Sequence, residues 1–313
     1  MIALTHKSKQ YGWFALKLFI LGAAFFYIYK KMVSGHRYAF DLVLESIENH
    51  TLSYVLFFLL LATINWMLES MKWQELVCLI ESISFLEALQ QTLASLTISL
   101  PTPSRLGEYG AKAFFFQKNL RKKVVFLTFL GNSAQMITTI GFGLVGLWLL
   151  SQKLDISFSW QAFIGFLVIV LLLIIVAYYL RNKELFIKGF SLRKASRFIK
   201  DVPLHISLKL MGYSLLRYAV FSTLFYLCLQ FFGAETSLWE TLAYIYVMYL
   251  FTSLLPVFLF WDVVVKGSIA LWLFSFLGVP EETVIATVLS MWILNFAIPA
   301  LAGSYFVLKL QPK

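Results

Sequence analysis

Chemically reactive and charged side chains are scarce in this sequence. Its 313 residues include two cysteines, four histidines and 13% charged residues. Cys78 and Cys228 are far apart and the histidines are scattered, which argues against a disulfide framework and against a clustered metal site. No P-loop, nucleophile elbow or Asp-rich diphosphate motif occurs. We therefore expect no enzymatic activity, no cofactor and no metal.

Apolar residues dominate the composition of the chain. They make up 60% of the chain, aromatic residues make up 18%, and the mean hydropathy is +0.79. Soluble domains contain about 45–50% apolar residues, so this composition indicates an integral membrane protein. Six apolar runs are long enough to cross a hydrocarbon core of about 30 Å as helices: residues 12–29, 51–68, 124–150, 158–180, 210–232 and 283–308.

Two further apolar regions are interrupted by proline near their middle. Residues 82–117 are broken at Pro101 and Pro103, and residues 241–277 are broken at Pro256. Proline lacks the backbone N–H and disfavours helical geometry at the residue before it, so a helix ends there. We interpret both regions as re-entrant helical hairpins; two full pairs of short spans are the alternative. The predicted fold is an all-α integral membrane protein with about six transmembrane helices and two re-entrant hairpins.

Basic residues define the expected orientation. Segment 181–200 contains seven Lys and Arg residues and one Glu, which marks it as cytoplasmic by the positive-inside rule. Counting spans outward from this segment places both termini in the cytoplasm. Most of the net charge of +10 lies in this loop, whose interleaved apolar residues favour contact with anionic lipid. We expect no nucleic-acid partner.

The chain is interpreted as one membrane domain, residues 1–313, that contains two similar halves. An N-terminal helix and outer loop occupy residues 1–50, and a connecting helix with the basic loop occupies residues 153–209. The halves, residues 51–152 and 210–313, each contain a span, a hairpin and a span. An odd number of spans separates them, which predicts inverted repeats, the arrangement of many alternating-access transporters.

Each predicted hairpin carries an acid followed four residues later by a lysine. These pairs are Glu108 with Lys112 and Asp262 with Lys266, and the acid lies seven and six residues after the proline of the Leu-Pro step. Ionisable groups at bilayer depth are costly and mark functional sites, so all four are candidate substrate-binding residues. The alternative is an ordinary i,i+4 ion pair, worth only about 0.3–0.5 kcal/mol where it is exposed.

Two arginines complete the candidate substrate site. Arg105 precedes a helix expected to begin near Leu106, where backbone N–H groups and a bidentate guanidinium can bind phosphate. Arg217 lies in the middle of an apolar run and needs a partner, for which Asp262 and a substrate phosphate are the candidates. A purely structural Arg217–Asp262 pair is the alternative.

A polar stripe marks the span at residues 124–150. It includes Asn132, Gln135, Thr138 and Thr139. Such groups form hydrogen bonds between helices or line a transport path, and we keep Asn132 and Gln135 as candidates for the lining.

The segment SLPTPSRLGEYGAKAFFF resembles the hairpin of the lysylphosphatidylglycerol synthase transmembrane family, a flippase-like domain. The upstream WMLESMKWQELV and the downstream LLPVFLF and GSIAL also look like elements of that family. The resemblance depends mainly on Pro101, Arg105, Gly107 and Glu108. It implies a multi-pass protein of the bacterial inner membrane that moves a lipid between leaflets.

The sequence departs from the family pattern in two places. It ends at Lys313 without the soluble aminoacyl-transferase domain of some relatives, which is expected of a stand-alone member. Residues 257–262 replace a stretch that is commonly rich in glycine, so the mechanism of the second half is open.

Two classes of function follow from these patterns. The first is a lipid flippase or transporter for an amphiphile with an anionic, phosphate-bearing headgroup, with ion or proton coupling. The second is a non-transporting scaffold or accessory subunit that binds a membrane enzyme of lipid or envelope biosynthesis. A membrane enzyme acting on lipid-linked sugars is a third alternative.

Overall fold

The computed structural model describes residues 43–48, 52–102, 105–153, 201–254 and 262–309, without the side chains of 262–265. Apart from a helical turn at 43–48, the described elements are eight helices. They are α1 (Leu52–Val77), α2 (Phe85–Ser99), α3 (Gly107–Phe114), α4 (Arg121–Lys153), α5 (Leu204–Phe231), α6 (Leu238–Leu254), α7 (Asp262–Ser275) and α8 (Glu281–Lys309). A π-helical turn, Ile293–Ala297, interrupts α8.

Four of these helices are long and apolar enough to cross a membrane: α1, α4, α5 and α8. They confirm the spans predicted at 51–68, 124–150, 210–232 and 283–308. The runs predicted at 12–29 and 158–180 lie outside the described residues. The protein is therefore a multi-pass, all-helical membrane protein in the part that the structure describes.

The remaining helices occupy the two regions predicted to be hairpins. In the first region α2 ends at Ser99, two residues before Pro101, and α3 begins at Gly107. In the second region α6 ends at Leu254 and α7 begins at Asp262. Pro103 and Pro256 lie outside the described residues. Both helix breaks occur where the sequence predicts them.

Helix α2 starts at a capping box. The Ser84 hydroxyl accepts a hydrogen bond from the Glu87 N–H at 3.3 Å, and the Glu87 carboxylate accepts from the Ser84 N–H at 2.7 Å. This reciprocal pair satisfies two donors that a helix N-terminus leaves unpaired. The capping box therefore fixes the start of α2, the first helix of the predicted hairpin, at Phe85.

Packing pairs the first helix of each hairpin with the last span of the other half. Helix α2 packs along the C-terminal part of α8, helix α6 packs along α4, and the two first spans, α1 and α5, pack against each other. Glycines allow the close approach. A Cβ on Gly303 would lie 2.2 Å from the Leu93 carbonyl oxygen, and one on Gly146 would lie 2.7 Å from that of Ala243.

Apolar side chains form separate buried clusters around these contacts. The largest lies mainly in the second half and includes Phe225, Tyr244 and Phe274, while another joins α1, α4 and α5 around Trp73 and Leu127. Between the clusters the helices enclose a cavity that residues of both halves line.

Candidate functional site

The cavity has a volume of about 400 Å³ and is lined by residues of both halves. Its cationic lining residues are Arg105, Arg217 and Lys266, and no acidic side chain occurs among the described residues that line it. The apolar lining includes Phe221 and Phe225. The cavity therefore combines positive charge with apolar surface, the two properties that an anionic amphiphile requires.

The structure brings most of the predicted binding and lining residues to this cavity or into contact with a residue that lines it. Arg105, Arg217, Lys266, Asn132 and Gln135 line the cavity. Of the other predicted residues, Glu108 and Lys112 are buried and Glu108 contacts Arg105, Gly107 starts α3, and the side chain of Asp262 lies outside the described residues.

Cations from the two hairpins converge on one aromatic ring. The Arg105 guanidinium carbon lies 5.6 Å from the centroid of the Phe296 ring, and Lys266 Nζ lies 5.8 Å from the same centroid. Phe296 belongs to the π-helical turn of α8. Cations within about 6 Å of a ring face are attracted by its quadrupole. Phe296 therefore holds two positive charges from different hairpins at the cavity wall.

The tip of the first hairpin has a defined turn. Arg105 has a left-handed backbone with φ 57°. The Thr102 hydroxyl donates to the Ser99 carbonyl at 2.6 Å and accepts from the Gly107 N–H at 2.9 Å. Free N–H groups were expected at this helix end, but the first of them, the Gly107 N–H, donates to Thr102. At this tip the Arg105 side chain is therefore the charged donor that lines the cavity.

Glu108 pairs with two cations on its own hairpin. Its carboxylate lies 2.8 Å from Lys112 Nζ and 3.4 Å from the Arg105 guanidinium. The predicted i,i+4 pair is thus present, but Glu108 is only 7% exposed and Lys112 only 2%. The weak energetics of exposed pairs therefore do not apply to this one.

Lys112 also reaches across to the first span. Its Nζ lies 4.3 Å from the centroid of the Trp73 ring, and the Trp73 indole N–H donates to Gln91 Oε1 at 2.8 Å. These contacts tie α3 to α1 and α2. The charged pair is part of the packing between the hairpin and the first span.

Glu69, the partner of Arg217, is not among the residues predicted from the sequence. Glu69 forms ion pairs with Arg217 and with Lys72, the latter at 2.7 Å, and all lie within or against α1. Asp262 and a substrate phosphate were the candidates named for Arg217; the structure gives Glu69 that role. The sequence feature that could have identified Glu69 is its i,i+3 spacing from Lys72 in WMLESMKW. This pair lies just beyond the predicted end of the span at residue 68.

A chain of side-chain amides connects Arg217 to the last span. Arg217 Nε donates to Asn65 Oδ1 at 3.0 Å, and Asn65 Nδ2 donates to Asn295 Oδ1 at 2.9 Å. Asn295 lies in the π-helical turn, and its carbonyl oxygen accepts from the Trp66 indole N–H at 3.1 Å. Pro299, four residues later, cannot donate to that carbonyl, so Trp66 supplies the missing hydrogen bond.

The predicted polar stripe on α4 has two different surroundings. Asn132 Nδ2 donates to the Tyr109 hydroxyl at 3.2 Å, which links α4 to α3. Gln135 Nε2 lies 3.5 Å from the Ser214 carbonyl on α5, a long hydrogen bond. Both residues line the cavity as well. These two residues therefore form hydrogen bonds to neighbouring helices and also line the cavity, so the two interpretations of the stripe are compatible.

The arrangement can bind an anion but offers little to a metal. In the described part of the chain, no three His, Cys, Asp or Glu side chains lie close enough to share a metal ion. The carboxylates Glu69 and Glu108 are each engaged by cations. Cationic groups at the cavity wall, by contrast, are suited to phosphate.

Comparison of the sequence with known proteins agrees with these features. No curated protein matches the chain. The family described as the lysylphosphatidylglycerol synthase TM region matches residues 14–303, which include both predicted hairpin regions, the spans α1, α4 and α5, and most of α8. This protein therefore belongs to the lysylphosphatidylglycerol synthase transmembrane family.

Proposed function

We propose that this protein is a lipid flippase that moves an amphiphile with a phosphate-bearing headgroup between the leaflets of the bacterial inner membrane. The observation that carries the proposal is the cavity between the two halves. Three cationic side chains line it, and no acidic side chain is among its described lining residues. All three cations are partly exposed to the cavity, and ionisable groups within membrane-embedded segments commonly mark a substrate path. Family membership links the chain to lipid handling.

Helix lengths support the re-entrant interpretation of the hairpins. Helix α3 has 8 residues and α2 has 15, which at about 1.5 Å per residue gives lengths of about 12 and 22 Å. In the second hairpin α6 has 17 residues and α7 has 14, which gives lengths of about 26 and 21 Å. A hydrocarbon core of about 30 Å requires about 20 residues. We therefore place both hairpins as re-entrant elements of inverted repeats, with the termini in the cytoplasm.

The ion pairs provide a basis for alternating access and for coupling. Glu69 lies between Lys72 and Arg217, and Glu108 lies between Lys112 and Arg105. A carboxylate with two cationic partners can exchange one partner when the other binds a headgroup phosphate. Exchange of this kind would couple substrate binding to the movement of one half against the other.

The test is lipid movement in proteoliposomes that contain a fluorescent phosphatidylglycerol. Arg105→Ala and Lys266→Ala should each lower the rate by about tenfold or more, since a charge-assisted contact is worth about 1.5–3 kcal/mol. Arg105→Lys should retain part of the rate. Lys209→Ala removes an exposed cation that pairs with Glu75 away from the cavity and should leave the rate unchanged. Full rates in both alanine variants would overturn the proposal.

A scaffold without transport activity is the second candidate. Its support is that both buried carboxylates are neutralised inside the protein, as expected of purely structural pairs. A scaffold should tolerate exchange of the charges in Glu108→Lys with Lys112→Glu. A transport site should not, because the exchange places a carboxylate and an ammonium in new positions relative to Arg105. Recovery of cellular function by the double variant, without lipid movement, would favour the scaffold.

A further inference from the structure

The charges of the ion pairs beside the cavity do not balance. Each of two carboxylates is shared by two cations: Glu69 by Lys72 and Arg217, and Glu108 by Lys112 and Arg105. A carboxylate carries one negative charge and compensates one cation. Among the described residues this network therefore has two positive charges in excess.

The acidic residues outside the described part of the chain do not supply the missing charges. Lys266 adds another cation to the cavity wall, and Asp262, whose side chain lies outside the described residues, balances at most that one charge. The other acids outside the described residues are Asp41, Asp155 and Glu184, and all three lie outside the predicted spans.

The two lysines are the partners that require the carboxylates. Lys72 and Lys112 are 1% and 2% exposed, neither lines the cavity, and their Nζ atoms lie 2.7 and 2.8 Å from their carboxylate partners. A buried ammonium without an adjacent carboxylate is strongly unfavourable, so each carboxylate is needed to compensate its lysine. Arg105 and Arg217, which do line the cavity, therefore carry the excess charge.

The contacts of the two arginines converge on the π-helical turn of α8. The Arg105 guanidinium carbon lies 5.6 Å from the centroid of the Phe296 ring, and Arg217 is linked through Asn65 to Asn295, the preceding residue. Both arginines line the same cavity of about 400 Å³. A single headgroup in this cavity can therefore compensate both charges.

The number of charges on a phosphate depends on how it is esterified. A phosphodiester carries one negative charge, whereas a phosphomonoester, with a second pKa of about 6, carries nearly two at neutral pH. Both bind a guanidinium through two parallel hydrogen bonds. Only the phosphomonoester compensates two arginines, because a phosphodiester leaves one positive charge in surroundings of low dielectric constant.

We infer that the cavity prefers a lipid whose headgroup is a terminal phosphomonoester, with two negative charges, over a phosphodiester lipid, with one. The phosphate contacts Arg105 and Arg217, while the buried lysines keep their carboxylates. This inference rests on the proposed function, since it takes the cavity to be the site of a lipid headgroup. It adds the charge class of that headgroup.

The first test compares two lipids that differ by one methyl group and one charge. Phosphatidic acid and phosphatidylmethanol with the same acyl chains bind in turn to the purified full-length protein, and native mass spectrometry measures the two affinities. At about pH 8 the phosphomonoester is fully ionised, since its second pKa is about 6. We expect phosphatidic acid to bind about tenfold more tightly, the value of one charge-assisted contact. Equal affinities would overturn the inference.

The second test locates the preference at the arginines. Arg105→Gln and Arg217→Gln each remove one of the two excess charges, so the ratio of the two affinities should fall towards one. Lys209→Gln is the control, because it removes an exposed cation that pairs with Glu75 away from the cavity, and it should keep the wild-type ratio. Since the ratio is measured within each variant, a lower yield of folded protein does not alter it. Wild-type ratios in both arginine variants would overturn the inference.

The third test adds a negative charge and leaves every ion pair in place. Asn132 lines the cavity, and aspartate has nearly the same shape as asparagine. Asn132→Asp should therefore lower the preference for phosphatidic acid as each arginine variant does. Asn119→Asp adds the same charge at an exposed position between α3 and α4 and should keep the wild-type ratio. An unchanged ratio in Asn132→Asp would count against the inference and overturn it.

Failure of the proposed function is distinguishable from failure of the inference, because binding is measured without transport. If the wild-type protein moves no lipid in proteoliposomes but binds phosphatidic acid more tightly, the flippase proposal is wrong and the charge preference of the cavity stands. If the protein moves phosphatidylglycerol but binds the matched pair equally, the flippase proposal stands and the inference is wrong.

Discussion

Arg217 on α5 donates its Nε hydrogen to Oδ1 of Asn65 on α1 at 3.0 Å. This contact joins the first spans of the two halves, and the same guanidinium pairs with Glu69 one helical turn along α1. A cation in the middle of an apolar run is thereby fixed in position by two groups from the opposite half. One side of the cavity is held by polar contacts between the halves.

Glu69→Gln should be among the most destabilising single substitutions. It leaves Lys72 and Arg217 without the carboxylate that both contact, and loss of one partner of a buried pair costs about 3–5 kcal/mol. Thermal unfolding of the purified protein in detergent should show a clearly lower Tm. Glu75→Gln on the same helix is the matched control, because its partner Lys209 is exposed, and its Tm should be close to that of the wild type. Similar Tm values for both variants would contradict this prediction.

Asn295→Leu should disturb the cavity from the side of the last span. The substitution removes the acceptor of the Asn65 amide and leaves a buried donor unpaired, at a cost of about 1–3 kcal/mol. Because Asn65 also accepts from Arg217, we expect slower lipid movement together with a lower Tm. Ser304→Ala, which removes a hydrogen bond within α8 itself, should change neither measurement. A normal transport rate in Asn295→Leu would show that this amide chain does not position Arg217.

Gly303→Ala should open the contact between α2 and α8. The added Cβ would lie 2.2 Å from the Leu93 carbonyl oxygen and 2.4 Å from the Thr97 hydroxyl, so backbone must shift. Overpacking of this kind costs about 1–3 kcal/mol, and the Tm should fall. Gly141→Ala on α4 is the control, since a Cβ there meets nothing within 4 Å. Its Tm should be unchanged or slightly higher.

The two native cysteines provide a test of orientation. Cys78, just beyond the end of α1, is exposed, whereas Cys228 on α5 is buried. With the N-terminus in the cytoplasm, Cys78 faces the cytoplasm. A membrane-impermeant maleimide should therefore leave intact spheroplasts unlabelled and should label the protein after permeabilisation. Cys78→Ser should abolish the signal and Cys228→Ser should not. Labelling of Cys78 from outside would reverse the proposed topology.

The sequence could predict features that depend on local patterns. Apolar runs gave the four described spans because the length of a membrane helix follows from bilayer thickness. The break before Pro101 follows from the missing N–H, and the Glu108–Lys112 pair follows from helical periodicity. Each of these features involves residues that are close in sequence.

Features that depend on contacts between distant helices could not be predicted in this way. The Asn65–Asn295 hydrogen bond joins residues 230 positions apart, and no local pattern relates them. Arg217 was expected to need a partner, but its identification as Glu69 required the packing of α5 on α1.

The packing of α2 against the end of α8 has a consequence for biosynthesis. The Thr97 hydroxyl donates to the Ala300 carbonyl at 2.9 Å, so an early hairpin is completed by a helix synthesised some two hundred residues later. During translation the face of α2 that contacts α8 lacks this neighbour until residues 298–309 leave the ribosome. The contact between α2 and α8 is therefore completed only when nearly the whole chain has been synthesised, and until then lipid or the insertion machinery must cover that face.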